Sequence, residues 1–345
     1  MEFIKPASLV FGDTVAIVSP SWGGPSRFPH IYENGLKTLR ELGLQIKEYP
    51  SARASVEFLA SHPEFRAKDI NDAFADVEVK AIFASIGGDD SVRILPFLNS
   101  ELIRNNPKIV MGYSDTTSLL TFINQLGMVS FYGPSVMAGF SQAESLPPAF
   151  TEHVKQMLFS PQAPLEYTSY GQYCDGYPEW SEAANLGKTK ELRVDTGWRF
   201  IQGTGVVTGE LYGGCIEVLE SLNGTDFWPE RELWNGKILF LETSQEKPSV
   251  LRVRRMLRNY GMQGMFDRAT AVLFGRARDF TDEEKVELDQ MIIEVIKGEF
   301  GNAEISVVTN MDFGHTDPQL ILPLGVKAEV DSTQQTFRLL EVPLK

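Results

Sequence analysis

Cysteine is nearly absent, with only Cys174 and Cys215 in 345 residues, far apart and in no spacing that suits a metal. That excludes a disulfide-dense scaffold. Both thiols are expected to be reduced, as in a cytosolic protein, with a Cys174–Cys215 bridge as the alternative. Histidine is scarce too, at four residues. No apolar run reaches the ~18 residues that suggest a membrane span. The opening Met1-Glu-Phe-Ile-Lys-Pro6 lacks the basic and apolar regions of a secretory signal, so a cytoplasmic location is expected. Positive charge is in deficit, 32 Lys and Arg against 46 Asp and Glu, for a formal net charge of −14. The basic footprint of a protein that grips a nucleic-acid polymer or anionic lipid is therefore missing. Repeats, low-complexity tracts and the G-x-x-x-x-G-K-[ST] phosphate loop are also lacking.

What is present is a chain long enough for two domains, with 43% hydrophobic residues to build a sizeable core. Strand-like and helix-like segments alternate through the first half. Residues 13–21, 44–49, 79–86, 109–111 and 128–132 read as strands. Tyr32, Leu36, Leu39 and Leu42 mark one helix face, and Pro63 opens another helix. Such alternation predicts a parallel sheet, with ligands bound beyond the carboxyl ends of its strands. The order breaks down over residues 160–200, which are rich in Gly, Pro, Tyr and Trp. That stretch is expected to be a linker, its aromatics either packing it down or forming a binding loop. A second set of elements follows from Gly205 onward. The expected organisation is residues 1–160, a linker and substrate loop at 161–200, and a C-terminal unit at 201–345.

One stretch carries chemistry. Between the apolar residues 109–111 and a helix-like segment from Thr116 lies Gly112-Tyr-Ser-Asp115, too short for anything but a sharp strand-to-helix turn. Such a turn exposes the Ser114 hydroxyl and aims free N–H groups of the next helix at whatever the serine attacks. An ordinary turn with Ser114 or Asp115 as a helix cap fits the same residues.

A nucleophilic serine needs a base, and imidazole suits because it titrates near neutrality. Three histidines, His30, His62 and His153, fall in or beside helices. His315 instead closes a loop after the 305–309 strand, with Gly314 before it. A carboxylate to orient the ring is offered by Glu242, at the end of the apolar strand 237–241, where burial without a partner is costly. Gly87-Gly88, at the end of the 79–86 strand, can converge main-chain N–H groups on an anion. The Gly88 and Asp115 N–H groups are assigned as oxyanion donors.

Several motifs together resemble the LD-carboxypeptidase family of serine peptidases. They are Ser85-Ile-Gly-Gly-Asp-Asp-Ser91, Gly112-Tyr-Ser-Asp-Thr-Thr117, Phe131-Tyr-Gly-Pro134, Gly197-Trp-Arg199, Gly209-Glu-Leu-Tyr-Gly-Gly214, Phe240-Leu-Glu-Thr243 and Gly314-His-Thr-Asp317. The resemblance covers nearly the whole chain. It implies an α/β fold: an N-terminal doubly wound, mostly parallel sheet domain plus a smaller C-terminal α/β domain, with the active site between them. It further implies a Ser114–Glu242–His315 triad, no metal or cofactor, and a homodimer. Gly87-Gly88-Asp89-Asp90, the tryptophan-bearing loop and Gly197-Trp198-Arg199 look most like the microcin C immunity branch, which cuts an amide joining a peptide or aminoacyl group to a nucleotide-like moiety, and imply substrate contacts at Gly87, Asp89 and Trp180. Trp180 matches the position where that branch stacks an aromatic on a nucleobase. The alternative substrate is the murein tetrapeptide of the LD-carboxypeptidases proper.

Two readings of other classes stand beside this one. The first is a non-catalytic two-lobe binding module. The second is a nucleotide-dependent transferase with Gly87-Gly88 as a phosphate nest and Arg252, Arg254, Arg255 and Arg258 as helpers.

Overall fold

The computed structural model describes residues 3–345, so the first two residues of the N-terminal segment read above lie outside it. Strands β1 (Thr14–Val18), β2 (Gln45–Glu48), β3 (Val79–Ala84), β4 (Ile109–Gly112) and β5 (Ser130–Tyr132) form a parallel sheet in the order β2-β1-β3-β4-β5. Crossover helices cover it, among them Pro29–Glu41, Pro63–Ala75 and Thr117–Gln125, the first two started by proline at N1. The central β4 is buried along its whole length, which is why it reads as an unbroken apolar run. Edge strand β2 is polar and partly exposed. A sixth strand, Leu322–Leu324, returns from late in the chain and pairs antiparallel with β5.

The second sheet has eight strands. Its centre is parallel: β6 (Val206–Cys215), β7 (Lys237–Glu242), β8 (Ala271–Gly275) and β9 (Ser306–Met311). Antiparallel strands flank both sides. Helix Val250–Met262 starts at Ser249, whose side chain accepts from Arg252 N–H. Helix Asp282–Ile293 starts with a Thr281–Glu284 capping box and runs into a π-helical turn. One continuous cluster of buried apolar side chains runs under both sheets.

Residues 160–200, expected to lack regular structure, contain one edge strand of this second sheet, Leu165–Tyr167, and the start of the other, Arg199–Gln202. They also contain a small hairpin, Gln172–Tyr173 with Arg193–Val194. These strands span two to four residues, too few for a period to register in the sequence. Both cysteines are buried and unbridged. Among the described residues no helix is long and apolar enough to cross a membrane.

Candidate active site

The carboxyl ends of β1, β3 and β4 converge on one edge of the first sheet, where a doubly wound sheet binds its ligands. Ser114 follows β4 and adopts φ 57, in the left-handed region, at a cost of about 1 kcal/mol for a residue with a side chain. Its surroundings hold it there. The Ser114 N–H donates to Tyr132 Oη at 3.2 Å, and Thr117 Oγ1 donates to the Ser114 carbonyl at 2.6 Å. Gly112 is needed beneath the turn, because a Cβ there would come within 2.8 Å of Thr116 Oγ1. This is a nucleophile-elbow geometry, with Ser114 buried at the floor of a cleft.

The Gly87-Gly88 loop lies against it. A Cβ on Gly87 would sit 3.2 Å from Ser114 Oγ, and one on Gly88 would strike Ser21 Oγ at 2.1 Å. Ser21 Oγ accepts from the Asp89 N–H at 3.2 Å, while among the described residues the Gly88 N–H has no acceptor. Beneath the loop, Arg66, fully buried, grips Asp90 with two hydrogen bonds of 2.6 and 2.9 Å and donates to the Pro20 carbonyl. The buried Asp115 side chain accepts from the Ser91 N–H at 2.8 Å. Its carboxyl is raised above the usual range by burial.

The second sheet delivers the other two groups. Glu242 ends β7 with no exposed surface, and His315 lies just beyond β9. His315 Nε2 is 3.0 Å from Ser114 Oγ, and its Nδ1 is 2.7 Å from Glu242 Oε2. The tautomer that satisfies both contacts carries its proton on Nδ1, so Nε2 is free to accept. Gly314, at φ 96, is required for the approach, since a Cβ there would lie 2.6 Å from Glu242 Oε2. Glu242 Oε1 accepts from Tyr132 Oη at 2.5 Å. Burial and the adjacent Glu242 carboxylate keep that phenol well above its ordinary pKa, hence protonated. Near the ring, burial pushes the Asp317 carboxyl up to about 6.

Two arms of the cleft meet at Ser114. The larger, of about 310 Å³, is walled by Trp22, Tyr177 and Trp180, with Asp89 exposed at its rim. The smaller, of about 170 Å³, is polar, lined by Glu217, Ser221, Ser244 and Arg252. Trp180 is only 7% exposed; its ring stacks on Tyr177 at 4.2 Å, and Phe28 meets it edge-on at 5.6 Å. The arginines of the transferase reading do not gather at Gly87-Gly88. Arg254 and Arg258 pair with Glu294 and Glu299, and only Arg252 reaches the cleft. His30 binds the Trp180 carbonyl, His62 stacks on Phe58, and His153 accepts from the Ile321 N–H. Sequence reasoning missed Tyr132, Arg66 and Trp22, and named Tyr177 only as one of the aromatics of residues 160–200. Tyr132 stands in the Phe131-Tyr-Gly-Pro134 motif, but nothing in that motif points to partners 18 and 110 residues away.

A serine at a strained elbow of a doubly wound sheet, within hydrogen-bond distance of an imidazole that a buried carboxylate holds from a second sheet, is an arrangement suited to acyl transfer. Comparison with known proteins narrows this. Residues 15–133 match the model of the LD-carboxypeptidase N-terminal domain, and residues 208–330 that of the C-terminal domain. The microcin C7 self-immunity protein MccF of Escherichia coli is 29% identical, the match covering 97% of this chain and 95% of that protein. A probable murein peptide carboxypeptidase of Bacillus subtilis is 30% identical, with 96% and 93% covered. The solved structure of MccF in complex with aspartyl sulfamoyl adenosine superimposes with a TM-score of 0.87 at 28% identity, covering 99% of this chain and all of that one. The chain belongs to the LD-carboxypeptidase family, a family of carboxypeptidases.

Proposed function

We propose that this protein is a serine-type carboxypeptidase that hydrolyses an amide bond with Ser114 as nucleophile, His315 as base and Glu242 as the group that orients the ring. The observation that carries the reading is the unbroken line of hydrogen bonds from Ser114 Oγ through His315 to Glu242, at 3.0 and 2.7 Å. His315 Nε2 takes the hydroxyl proton as Ser114 Oγ attacks the scissile carbonyl. The Gly88 and Asp115 N–H groups hold the oxyanion, and the amine leaves with the proton from Nε2. Water, activated by the same ring, then releases the acyl group and frees Ser114. In this reading residues 1–160 bring the nucleophile, 161–200 the substrate loop and 201–345 the acid and base.

The preferred substrate is a peptidyl- or aminoacyl-nucleotide. The larger aromatic arm suits a planar leaving group, because a base stacked on an aromatic ring gains about 1–3 kcal/mol whatever its sequence. The smaller polar arm suits the acyl residue. The aminoacyl-nucleoside analogue bound by the solved MccF supports this assignment.

The test is hydrolysis of an aminoacyl sulfamoyl nucleoside beside a murein tetrapeptide, with wild type and Ser114→Ala. Turnover of the nucleoside compound should exceed that of the tetrapeptide, and the variant should lose on the order of ten-thousandfold or more. Near wild-type turnover by Ser114→Ala ends the nucleophile assignment. Preference for the tetrapeptide transfers the substrate assignment to murein.

A further inference from the structure

We propose that Tyr132 is a positioning residue of the reaction, its hydroxyl tying the main chain of the nucleophile to the carboxylate that orients the histidine. The inference rests on the Ser–His–Glu reading above and adds a fourth member to it. Tyr132 is the last residue of β5, in register with Gly112 on the neighbouring β4, so its ring extends across the strand end just before the elbow. The hydroxyl donates to Glu242 Oε1 at 2.5 Å and accepts from the Ser114 N–H at 3.2 Å. Tyr132 has no exposed surface, so water does not compete for either contact. The ring is fixed by Phe240, tilted against it at 5.5 Å, and by Tyr113, edge-on at 6.4 Å.

The result is a closed circuit: Ser114 Oγ to His315, His315 to Glu242, Glu242 to Tyr132, and Tyr132 back to the Ser114 main chain. Each link matters physically. Without the hydroxyl, a buried N–H would be stranded at the one residue of the elbow with positive φ. Glu242 would lose a donor on the oxygen that the histidine does not use, and a buried carboxylate is costly to leave short of donors. Because the hydroxyl donates to the ionised carboxylate, it also governs how tightly the Glu242–His315 pair holds a proton. The other titratable or charged groups packed against this pair are Cys215 and Glu217 on the β6 side, Tyr113 before the elbow, and Asp317 with Arg278 beyond the histidine. A substitution at Tyr132 leaves all of them in place, so a change in pH response reports on the hydroxyl.

The experiment measures the rate at which a fluorophosphonate probe labels Ser114 across pH 5–9, a readout independent of the natural substrate. Tyr132→Phe removes one oxygen atom. Labelling near neutral pH should slow about 10- to 100-fold, the usual weight of a hydrogen bond to a charged group. The acidic limb of the profile should move to higher pH, because a carboxylate stripped of a donor holds the imidazolium proton more tightly. In a Glu242→Gln background the same substitution should cost clearly less than in the wild type, because only the contact with the Ser114 N–H is then left to lose. Labelling within twofold of wild type with an unmoved limb, or an equal cost in both backgrounds, overturns the proposal. If Tyr132→Phe does not fold, 3-fluorotyrosine at position 132 keeps the shape and donates more strongly. The limb should then move to lower pH, and an unmoved limb overturns the proposal as well. Failure of the underlying reading looks different: Ser114 of the wild type would not label, or His315→Ala would label normally.

Discussion

The two walls of the cleft do different kinds of work. The wall built on the first sheet is shaped by its backbone: a serine at positive φ and a pair of glycines pressed against it. The wall built on the second sheet contributes two side chains, Glu242 at the end of β7 and His315 in the loop beyond β9. Main-chain groups can be placed accurately only by fixing the loop that carries them. Side chains at strand ends need one packed neighbour and one hydrogen bond each. The first wall is therefore braced from behind by the buried Arg66 and its half-buried partner Asp90, whereas the second is braced by Tyr132, which belongs to the first.

The sharpest way to break the second wall is Glu242→Gln. An amide NH₂ facing Nδ1 forces the ring to protonate on Nε2, where it can no longer accept from Ser114 Oγ. Turnover should fall on the order of ten-thousandfold with little change in KM, measured by steady-state hydrolysis. A fall below tenfold would show that the carboxylate does not set the tautomer.

The first wall should break more gently and through its brace. Arg66→Lys keeps the charge but cannot hold Asp90 with two parallel bonds, so the Gly87-Gly88 loop loses its anchor. Losing a single oxyanion donor costs about 10²–10³ in kcat, and a loosened loop should cost somewhat less, roughly 10- to 100-fold. The discriminating measurement is kcat against KM. A loss confined to KM would mean that the loop serves binding, and the contrast between the walls would fall.

How far all this was legible in the sequence follows the same division. Runs such as residues 109–111 and 237–241 announce buried parallel strands because both faces are covered, and the residues that end them were found as site candidates without any structure. Ser114, Glu242 and His315, separated by more than a hundred residues in the case of serine and glutamate, lie in one hydrogen-bonded line. The braces were not legible. Arg66 sits in a helix where an arginine reads as surface, and Tyr132 reads as a strand aromatic, because the partners of both are set by tertiary contact. The short strands Leu165–Tyr167 and Arg199–Gln202 leave no periodic trace, whereas Tyr177 and Trp180 do lie in loop. Trp180 was singled out, but not the Tyr177 ring that already covers one of its faces.

That stacking sharpens the comparison further, because the aromatic wall belongs to neither sheet. Trp180→Ala should raise KM for an aminoacyl sulfamoyl nucleoside by roughly 5- to 100-fold while leaving kcat for a murein tetrapeptide unchanged. Equal losses on both substrates would make Trp180 a packing residue that supports Tyr177, and the base would have to be read by Trp22 on the opposite side.

The smallest effect concerns how the walls are joined. His153 lies in the helix Pro148–Leu158, and its Nε2 accepts from the Ile321 N–H, immediately before the strand Leu322–Leu324 that pairs with β5. Burial pushes the His153 pKa down to about 4, against about 6.5 in an unfolded chain. The folded state therefore favours the neutral ring. Its advantage is complete above pH 6.5, declines as the unfolded chain takes up a proton, and is exhausted near pH 4. The whole difference is about 3 kcal/mol. Asp317 acts in the opposite sense over part of that window, because its raised pKa makes the folded state gain stability as pH falls from about 6. The two are separated by comparing melting temperatures of wild type and His153→Gln at pH 7.5, 6 and 4.5. Glutamine can still offer an oxygen to the Ile321 N–H but does not titrate, so the variant should lose a few degrees less than wild type on acidification. Parallel curves would mean that the joint between the walls does not depend on an uncharged ring at position 153, and that the acid sensitivity of the molecule arises elsewhere.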